Sequence, residues 1–121
     1  MSTNTYITQD SGKRQQFDSG GQRDTQEGKA RFDLLLPKGV PYEEQLLTRW
    51  ANLMERGRRK YKERNWELFN SEEELERAKS SALRHLLQWI HDVEDEDHAA
   101  AVMFNLLAAE NIKRKLKTNE Y

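Results

Sequence analysis

One stretch of sequence decides the fold class of this chain: His98-Ala99-Ala100-Ala101-Val102-Met103-Phe104-Asn105-Leu106-Leu107-Ala108-Ala109. From Ala99 to Ala109 every residue except Asn105 is apolar. The stretch lies in a predicted helix C, which begins within the acidic run 94–97 and ends near Leu116. A helix that is apolar on every side is buried on every side. Three helices can hardly bury one of their number completely, so the stretch predicts an all-α helical bundle completed by homo-oligomerisation.

Two further helices are predicted before helix C. Helix A is expected from about Tyr42 to Glu63, because its apolar residues recur at intervals of three or four. Helix B starts at a capping box, since Glu74 stands three residues after Ser71. Helix B carries an apolar stripe, which indicates its core face, and a polar stripe. The apolar stripe comprises Leu75, Ala78, Ala82, Leu83, Leu86, Ile90 and Val93, and the polar stripe comprises Ser81, His85, Gln88 and Asp92.

The N-terminal quarter of the chain differs in composition from the rest. Residues 1–30 hold four of the six glycines and five apolar residues. Such a segment cannot bury enough apolar surface to offset its ordering entropy. We therefore expect a polar tail at 1–30, disordered alone or ordered against a partner or ligand. Residues 31–121 are expected to form the helical domain.

Composition excludes several classes of protein. The absence of cysteine excludes disulfide scaffolds and thiolate metal sites, and fits the reducing cytoplasm. No apolar run approaches the roughly 18–20 residues that span a bilayer, so no membrane partner is expected. Twenty basic and twenty-one acidic residues give a net charge of −1. A protein that holds long nucleic acid by charge is usually more basic, whereas a small phosphorylated ligand needs only a local patch.

The residues that could bind a metal ion or transfer a proton lie around the turn between helices B and C. If these helices form a tight antiparallel hairpin, Asp92, Asp95 and His98 cluster at the turn. His85 then lies opposite the turn of helix C that contains Asn105. Carboxylate oxygens with few nitrogens suit Mg²⁺ or Mn²⁺, so Asp92, Asp95 and His98 are candidate metal ligands. The structural alternative is that the acids cap helix C and the histidines are core groups.

A basic run near the end of helix A is followed by Asn65 and Trp66. Guanidinium and ammonium groups such as Arg64 and Lys60 bind phosphates. An asparagine amide can hydrogen-bond a base edge, and a tryptophan ring can stack on it. The residues therefore predict a nucleotide site. The alternative is a solvated helix face on which Trp66 covers the core.

Two acidic strings match the E-E-x-x-E and E-x-x-D motifs of the all-α MazG-like NTP pyrophosphatases. They are Glu72–Glu76 and Glu94–Asp97. Glu72 and Glu94 are separated by about twenty residues of predicted helix, or roughly 30 Å at 1.5 Å per residue. In one protomer these acids cannot share a cation, so the first string is predicted to be a solvated helix start.

Four longer pieces of sequence carry a resemblance to a known family. They are RDTQEGKARFDLL at 23–35, RGRRKYKERNW at 56–66, SALRHLLQW at 81–89 and DEDHAAAVMFN at 95–105. In order and spacing they resemble the phage and prophage family of the dATP/dGTP diphosphohydrolase N-terminal domain, which is related to the MazG-like enzymes. The resemblance covers about Phe17 to Ile112.

The resemblance implies an all-α oligomeric fold and metal-dependent cleavage of a purine deoxynucleoside triphosphate to monophosphate and pyrophosphate. It also implies a phage protein that acts on nucleotide pools, and hence in the host cytoplasm. Carried over to this chain, it implies catalytic roles for His85 and His98. The substrate-binding residues that follow from the matching pieces and the basic run are Lys29, Arg31, Lys60, Arg64, Asn65, Trp66, Arg84 and Asn105.

Three functions remain open from the sequence. In a hydrolase, a cation near Asp92, Asp95 and His98 would orient a water, and a histidine or acid at the turn would take its proton. Lys29 and Arg31 would reach the site only if the tail folds over it. A non-catalytic phage protein that binds and sequesters a signalling nucleotide needs the same pocket but no metal. A purely structural helical partner needs neither.

Overall fold

The computed structural model describes residues 6–118. The chain forms two compact units, with the boundary after Leu35. Residues 1–5 of the expected tail and 119–121 of the expected domain lie outside the described residues. Three helices dominate the structure, as predicted, and a small two-stranded sheet accompanies them.

The N-terminal unit contains a β-hairpin that the helical patterns did not predict. Strand β1 (Arg14–Gln16) pairs antiparallel with strand β2 (Gln22–Asp24). The turn is closed by Phe17, whose N–H donates to Gly21 O and whose carbonyl accepts from Gly20 N–H, both at 2.9 Å. Gly20 has a φ of 88°, a conformation that glycine adopts without steric cost. The sequence signal for this hairpin was the Gly20-Gly21 pair.

The C-terminal unit begins with a 3-10 turn at Tyr42–Glu44 and helix α1 (Leu46–Lys60). Helix α1 is therefore shorter at both ends than the predicted helix A. The interruption lies at Gln45, whose backbone is extended. The amide nitrogen of its side chain donates to the carbonyl oxygens of Pro37 (3.1 Å) and Val40 (2.9 Å). These bonds hold the linker against the start of the helix.

Helix α2 (Glu72–Ile90) starts at the predicted capping box. Ser71 Oγ accepts from the Glu74 N–H at 3.2 Å, and the Glu74 carboxylate accepts from the Ser71 N–H at 3.1 Å. A further bond from the backbone N–H of Asn70 lowers the pKa of Glu74. The first acidic string is thus a helix start, as the sequence predicted, because its central residue is used in the cap.

Helix α3 (His98–Thr118) packs antiparallel to α2 and also contacts α1. The core joins Leu75 and Ala78 of α2 to Ala109 and Ile112 of α3. Small side chains let the helices approach closely, and Ile112 is fully buried. Leu106, on the same helix, is 50% exposed. In one chain α3 is therefore not buried on every side.

The second half of α2 presents its polar stripe inward. His85 is buried and Ser81 and Gln88 are half-buried. The apolar stripe predicted to face the core is exposed over this part of the helix, so the prediction of its core face was wrong there. Three members of the predicted stripe, Leu83, Leu86 and Ile90, are exposed there, and so is the neighbouring Leu87, which the prediction did not include; the relative exposures are 40–57%. We call these four residues the apolar stripe of α2. None of the helices in residues 6–118 is long and apolar enough to cross a membrane.

Candidate functional site

Two buried histidines meet between α2 and α3. His85 Nδ1 lies 2.8 Å from His98 Nδ1, and His98 Nε2 lies 2.7 Å from Asp95 Oδ1. The sequence placed His85 opposite the turn of helix C that contains Asn105. Instead it touches the first residue of α3, because α3 begins level with His85 rather than level with the end of α2.

One arrangement of protons satisfies this chain of contacts. Arg84 Nη2 lies 3.4 Å from His85 Nε2 and can only donate, so Nε2 accepts. His85 Nδ1–H then donates to His98 Nδ1, and His98 Nε2–H donates to Asp95. Burial, reinforced by the charge of Arg84, lowers the pKa of His85. The hydrogen bond from His98 lowers the pKa of Asp95. In this arrangement of contacts each ring carries one proton.

Glu96 completes a group of three side chains that could hold a metal ion. One ligand atom from each of His85, Glu96 and His98 lies within 4.8 Å of the others. Asp92, a predicted ligand, is not in this group, because α2 ends at Ile90 and Asp92 is exposed with a φ of 57°. Asp95, also a predicted ligand, contacts the group through His98.

Asp97 fixes the start of α3. Its Oδ1 accepts from the Ala100 N–H at 3.1 Å, which is a helix cap. Its two carboxylate oxygens also pair with Arg49 of α1 at 2.9 and 3.0 Å, and this pairing lowers the pKa of Asp97. The structural alternative considered for the acids of the turn is thus correct for Asp97. The contact positions the first turn of α3, and with it His98.

His85 borders a cleft of about 690 Å³ between the helices. This volume suits a small organic ligand. Five residues predicted as site residues line this cleft together. They are Lys60, Asn65, Arg84, His85 and Asn105. Asn105 also uses its side-chain nitrogen to donate to Ala101 O at 2.8 Å, so part of its amide serves the helix itself.

A second cleft of about 580 Å³ shares Lys60, Asn65 and Phe104 with the first. It adds Arg64 and Trp66, two more of the predicted residues. Trp66 is half-buried in a 3-10 turn at Asn65–Leu68. The predicted nucleotide-binding residues of the C-terminal unit therefore line two adjoining clefts.

The basic run of α1 is partly neutralised by local carboxylates. Arg58 and Arg59 both bond Glu55, which lowers the pKa of Glu55 to about 2. Arg64 pairs with Glu67. Within residues 6–118 no carboxylate lies within ion-pair distance of Lys60 or Arg84. These two cations, together with Arg77 of α2, line the larger cleft, where they can meet an anionic ligand.

Lys29 and Arg31 belong to the N-terminal unit, where each has a carboxylate partner. Lys29 lies 3.1 Å from Asp24, and Arg31 lies 2.7 Å from Asp33. The Ser11 hydroxyl and Lys29 together lower the pKa of Asp24 to about 2. A role for Lys29 and Arg31 in substrate binding stays a prediction.

Sequence reasoning missed three residues of this region. Glu96 was read only as part of an acidic run, and Phe104 only as part of an apolar helix. Arg77 also lines the larger cleft. A signal for Arg77 was available, because it precedes Ser81 by four residues and so continues the polar stripe of helix B.

The chain is similar over most of its length to one known protein family. The family model of the dATP/dGTP diphosphohydrolase N-terminal domain matches residues 19–120. No curated protein and no solved structure matches the chain significantly. The matched segment spans most of the sequence and confirms the family suggested by the four sequence pieces. The chain therefore belongs to the dATP/dGTP diphosphohydrolase N-terminal domain family.

Proposed function

We propose that this protein hydrolyses purine deoxynucleoside triphosphates, dATP or dGTP, to monophosphate and pyrophosphate with the help of a divalent metal ion. The family's description supports a diphosphohydrolase activity. The observation that carries the proposal is the larger cleft, which is lined by cations, an amide and two members of the His85–Glu96–His98 group, His85 and Glu96.

The phosphates are assigned to the cationic part of this cleft. Arg77 and Arg84 stand seven residues apart on α2, so they share one face of the helix. Lys60 reaches the same cleft from the end of α1. Guanidinium groups hold phosphate oxygens in pairs and ammonium groups hold them as point charges. Such groups stabilise the charge that develops on the leaving pyrophosphate.

The purine base is assigned to the adjoining cleft. Asn65 lines both clefts and can hydrogen-bond a base edge. Trp66 offers a ring for stacking, and Phe104 lies where the two clefts meet. A nucleotide that spans the clefts would place its base near Trp66 and its phosphates near Arg84.

The residues present fit a divalent metal ion, because two imidazoles and a carboxylate converge within 4.8 Å. His85, Glu96 and His98 would hold the ion. When bound, it would lower the pKa of a coordinated water and neutralise phosphate charge. The acceptor of the water's proton is assigned to a histidine or carboxylate of the turn that follows α2.

A second candidate function is sequestration of a signalling nucleotide without hydrolysis. It is favoured by the position of the two acidic strings, which lie at opposite ends of α2 and so cannot share one cation in a protomer. The cations and the tryptophan of the two clefts would still bind a nucleotide. This candidate requires neither a metal nor a proton acceptor.

We also propose that the protein acts as a homo-oligomer in the host-cell cytoplasm. The apolar stripe of α2 and the exposed Leu106 leave apolar surface uncovered in one chain. A second copy of the chain would cover it, as the family resemblance implies. The partners in this proposal are thus a purine nucleotide and another protomer, without membrane or long nucleic acid.

One assay tests the proposed function. The purified chain is incubated with dATP, dGTP or cyclic dinucleotides, with and without Mg²⁺ or Mn²⁺, and the products are resolved by chromatography. Hydrolysis predicts monophosphate and pyrophosphate only when metal is present. Arg84→Ala should lower kcat/KM at least tenfold, whereas Lys79→Ala should not, because Lys79 is exposed and lines neither cleft. Recovery of unchanged nucleotide bound to the protein would instead establish sequestration, and absence of both would contradict the nucleotide site.

A further inference from the structure

We infer that His85, Glu96 and His98 form a site for a divalent ion of the Zn²⁺ class, which binds imidazole nitrogen, in preference to Mg²⁺ or Mn²⁺. Two nitrogen donors and one carboxylate make up the group. Mg²⁺ and Mn²⁺ are better served by oxygen ligands, whereas imidazole suits Zn²⁺ and Ni²⁺. This inference names the metal of the proposed hydrolase site and in that respect rests on the proposed function.

The two histidine nitrogens are slightly closer together than a zinc ion requires, and the Glu96 donor lies within 4.8 Å of the histidine donors. The two Nδ1 atoms lie 2.8 Å apart. Two nitrogens bound at about 2.1 Å in tetrahedral geometry lie about 3.4 Å apart, so an opening of roughly half an ångström would admit the ion. Three protein ligands of the His₂Glu type with one open position are typical of catalytic zinc sites.

Asp95 adds the support that metal-binding histidines usually have. His98 Nε2 lies 2.7 Å from Asp95 Oδ1, while its Nδ1 faces the proposed ion. A carboxylate on the far nitrogen of a ligating histidine fixes the tautomer and orients the ring. Asp95, which the sequence predicted as a ligand, is thus assigned as a positioning residue.

The proton arrangement allows the ion to enter without charging a buried histidine. His98 already presents an unprotonated Nδ1, because its Nε2–H donates to Asp95. His85 needs only to move its proton from Nδ1 to Nε2. The Nε2–H then becomes a donor at the cleft, and the Arg84 guanidinium, which donated to Nε2, becomes available for phosphate. Two of the three ligands, His85 and Glu96, line the larger cleft, so the open position is accessible to a ligand there.

Calorimetric titration of the full chain with metal alone tests the inference. The protein is stripped with EDTA, exchanged into chelator-free buffer at pH 7.5, and titrated with Zn²⁺, Mn²⁺ or Mg²⁺. We expect one Zn²⁺ per chain, bound at least 100-fold more tightly than Mn²⁺ or Mg²⁺. Co²⁺ should give visible absorption bands of a low-symmetry nitrogen and oxygen site. No nucleotide is present, so failure of this test and failure of the proposed hydrolysis are distinguishable.

Variants assign the affinity to particular side chains. His98→Ala should lower the Zn²⁺ affinity at least 100-fold. Glu96→Gln changes an exposed side chain, so its fold should persist while the affinity falls at least tenfold. Asp95→Asn should lower the affinity 10- to 100-fold, as expected for a residue that supports a ligand.

His91→Ala is the matched control, because His91 is exposed and lies outside the group. It should bind Zn²⁺ as the wild type does. The inference is overturned if wild-type protein binds Zn²⁺ no more tightly than Mg²⁺. It is equally overturned if Glu96→Gln and Asp95→Asn both bind as the wild type does.

Discussion

At the scale of single residues, His85 links the fold to pH, because folding lowers the pKa of its imidazole from an ordinary value near neutral pH. Its imidazole is buried, its Nδ1 is bonded to His98, and a guanidinium lies beside its Nε2. Charging it would add a proton at Nε2, the nitrogen that faces the Arg84 guanidinium. The same burial and contacts that place His85 in the candidate metal group therefore make the fold sensitive to acid.

We predict that stability falls as the pH falls below the ordinary His85 pKa of 6.5. Burial lowers its pKa in the folded state, so between the folded value and 6.5 the unfolded chain binds the proton more readily. The free energy of unfolding is therefore highest above pH 6.5 and decreases as the pH falls toward the folded pKa. Thermal melts in metal-free buffer at pH 7.5, 6.5 and 5.5 measure this. His85→Gln should flatten the profile and His91→Gln should not; an equal slope in both variants would contradict the prediction.

Trp66 carries the second prediction at this scale. If its ring stacks on the base, Trp66→Ala should weaken nucleotide binding by about 1–3 kcal/mol, the range measured for stacked bases. Tyr42→Ala is the control, because Tyr42 is an exposed aromatic residue that lines neither cleft. Calorimetry or fluorescence titration with dATP and dGTP gives both affinities. A folded Trp66→Ala variant with wild-type affinity would show that this ring covers the core and not a base.

At the scale of elements, the starts of α2 and α3 are held by different kinds of cap. Ser71 and Glu74 satisfy each other's backbone N–H groups within one turn. Asp97 caps α3 and also binds Arg49 of α1, so its carboxylate joins a local contact to a tertiary one. The cap of α2 stabilises a helix, whereas the cap of α3 also positions that helix against another.

This difference predicts that removing each cap lowers the free energy of unfolding by a different amount. Ser71→Ala should lower the free energy of unfolding by about 1 kcal/mol, the usual value of a helix cap. Asp97→Ala should lower it by about 1–2 kcal/mol, because a partly exposed ion pair adds at most about 1 kcal/mol to the cap. Urea unfolding at one protein concentration measures both.

Asp97→Asn separates the two contributions, since asparagine can still cap a helix but cannot pair with Arg49. Its cost should lie between zero and that of Asp97→Ala. If Arg49→Ala and Asp97→Asn both leave stability unchanged, the ion pair contributes nothing and the cap alone explains the result.

At the scale of the whole molecule, the distribution of apolar surface is the basis of the proposed association. The buried core of one chain is small and rich in alanine, whereas larger side chains of α2 stay exposed. Leu83, Leu86, Leu87 and Ile90 are spaced at three, one and three residues, so they form one continuous stripe. A contiguous apolar patch of this kind marks an interaction site.

We predict that the wild-type protein has at least twice the 14.3 kDa mass of one chain in solution. Leu86→Lys combined with Leu87→Lys should shift the assembly toward the monomer, because charges would be buried at the contact. Leu68→Lys is the control, since Leu68 is equally exposed but lies outside the stripe. Light scattering at micromolar concentration measures the mass of the wild type and of both variants. A wild-type mass of 14.3 kDa would contradict the proposed homo-oligomer.

The sequence by itself determined the helices and the cap of α2. Helix periodicity and the pairing of Ser71 with Glu74 depend on residues a few positions apart, so they can be predicted without knowing the fold. The motif pieces were also sufficient to predict the family. Several polar residues of the clefts, including Lys60, Arg84 and His85, were predicted because their chemistry is evident from residue type.

Only the tertiary structure decided which face of α2 is buried. It also decided the level along α2 at which α3 begins. Hydrophobicity alone favoured the apolar stripe as the core face along the whole helix. The stripe does face α3 at Leu75 and Ala78, but over the second half of α2 the face that carries His85 is the one that meets α3. The level at which α3 begins depends on the connection at 91–97 and on the Arg49–Asp97 contact. That level brings His98 to His85 and leaves Asp92 outside, a result that no spacing along the chain could show.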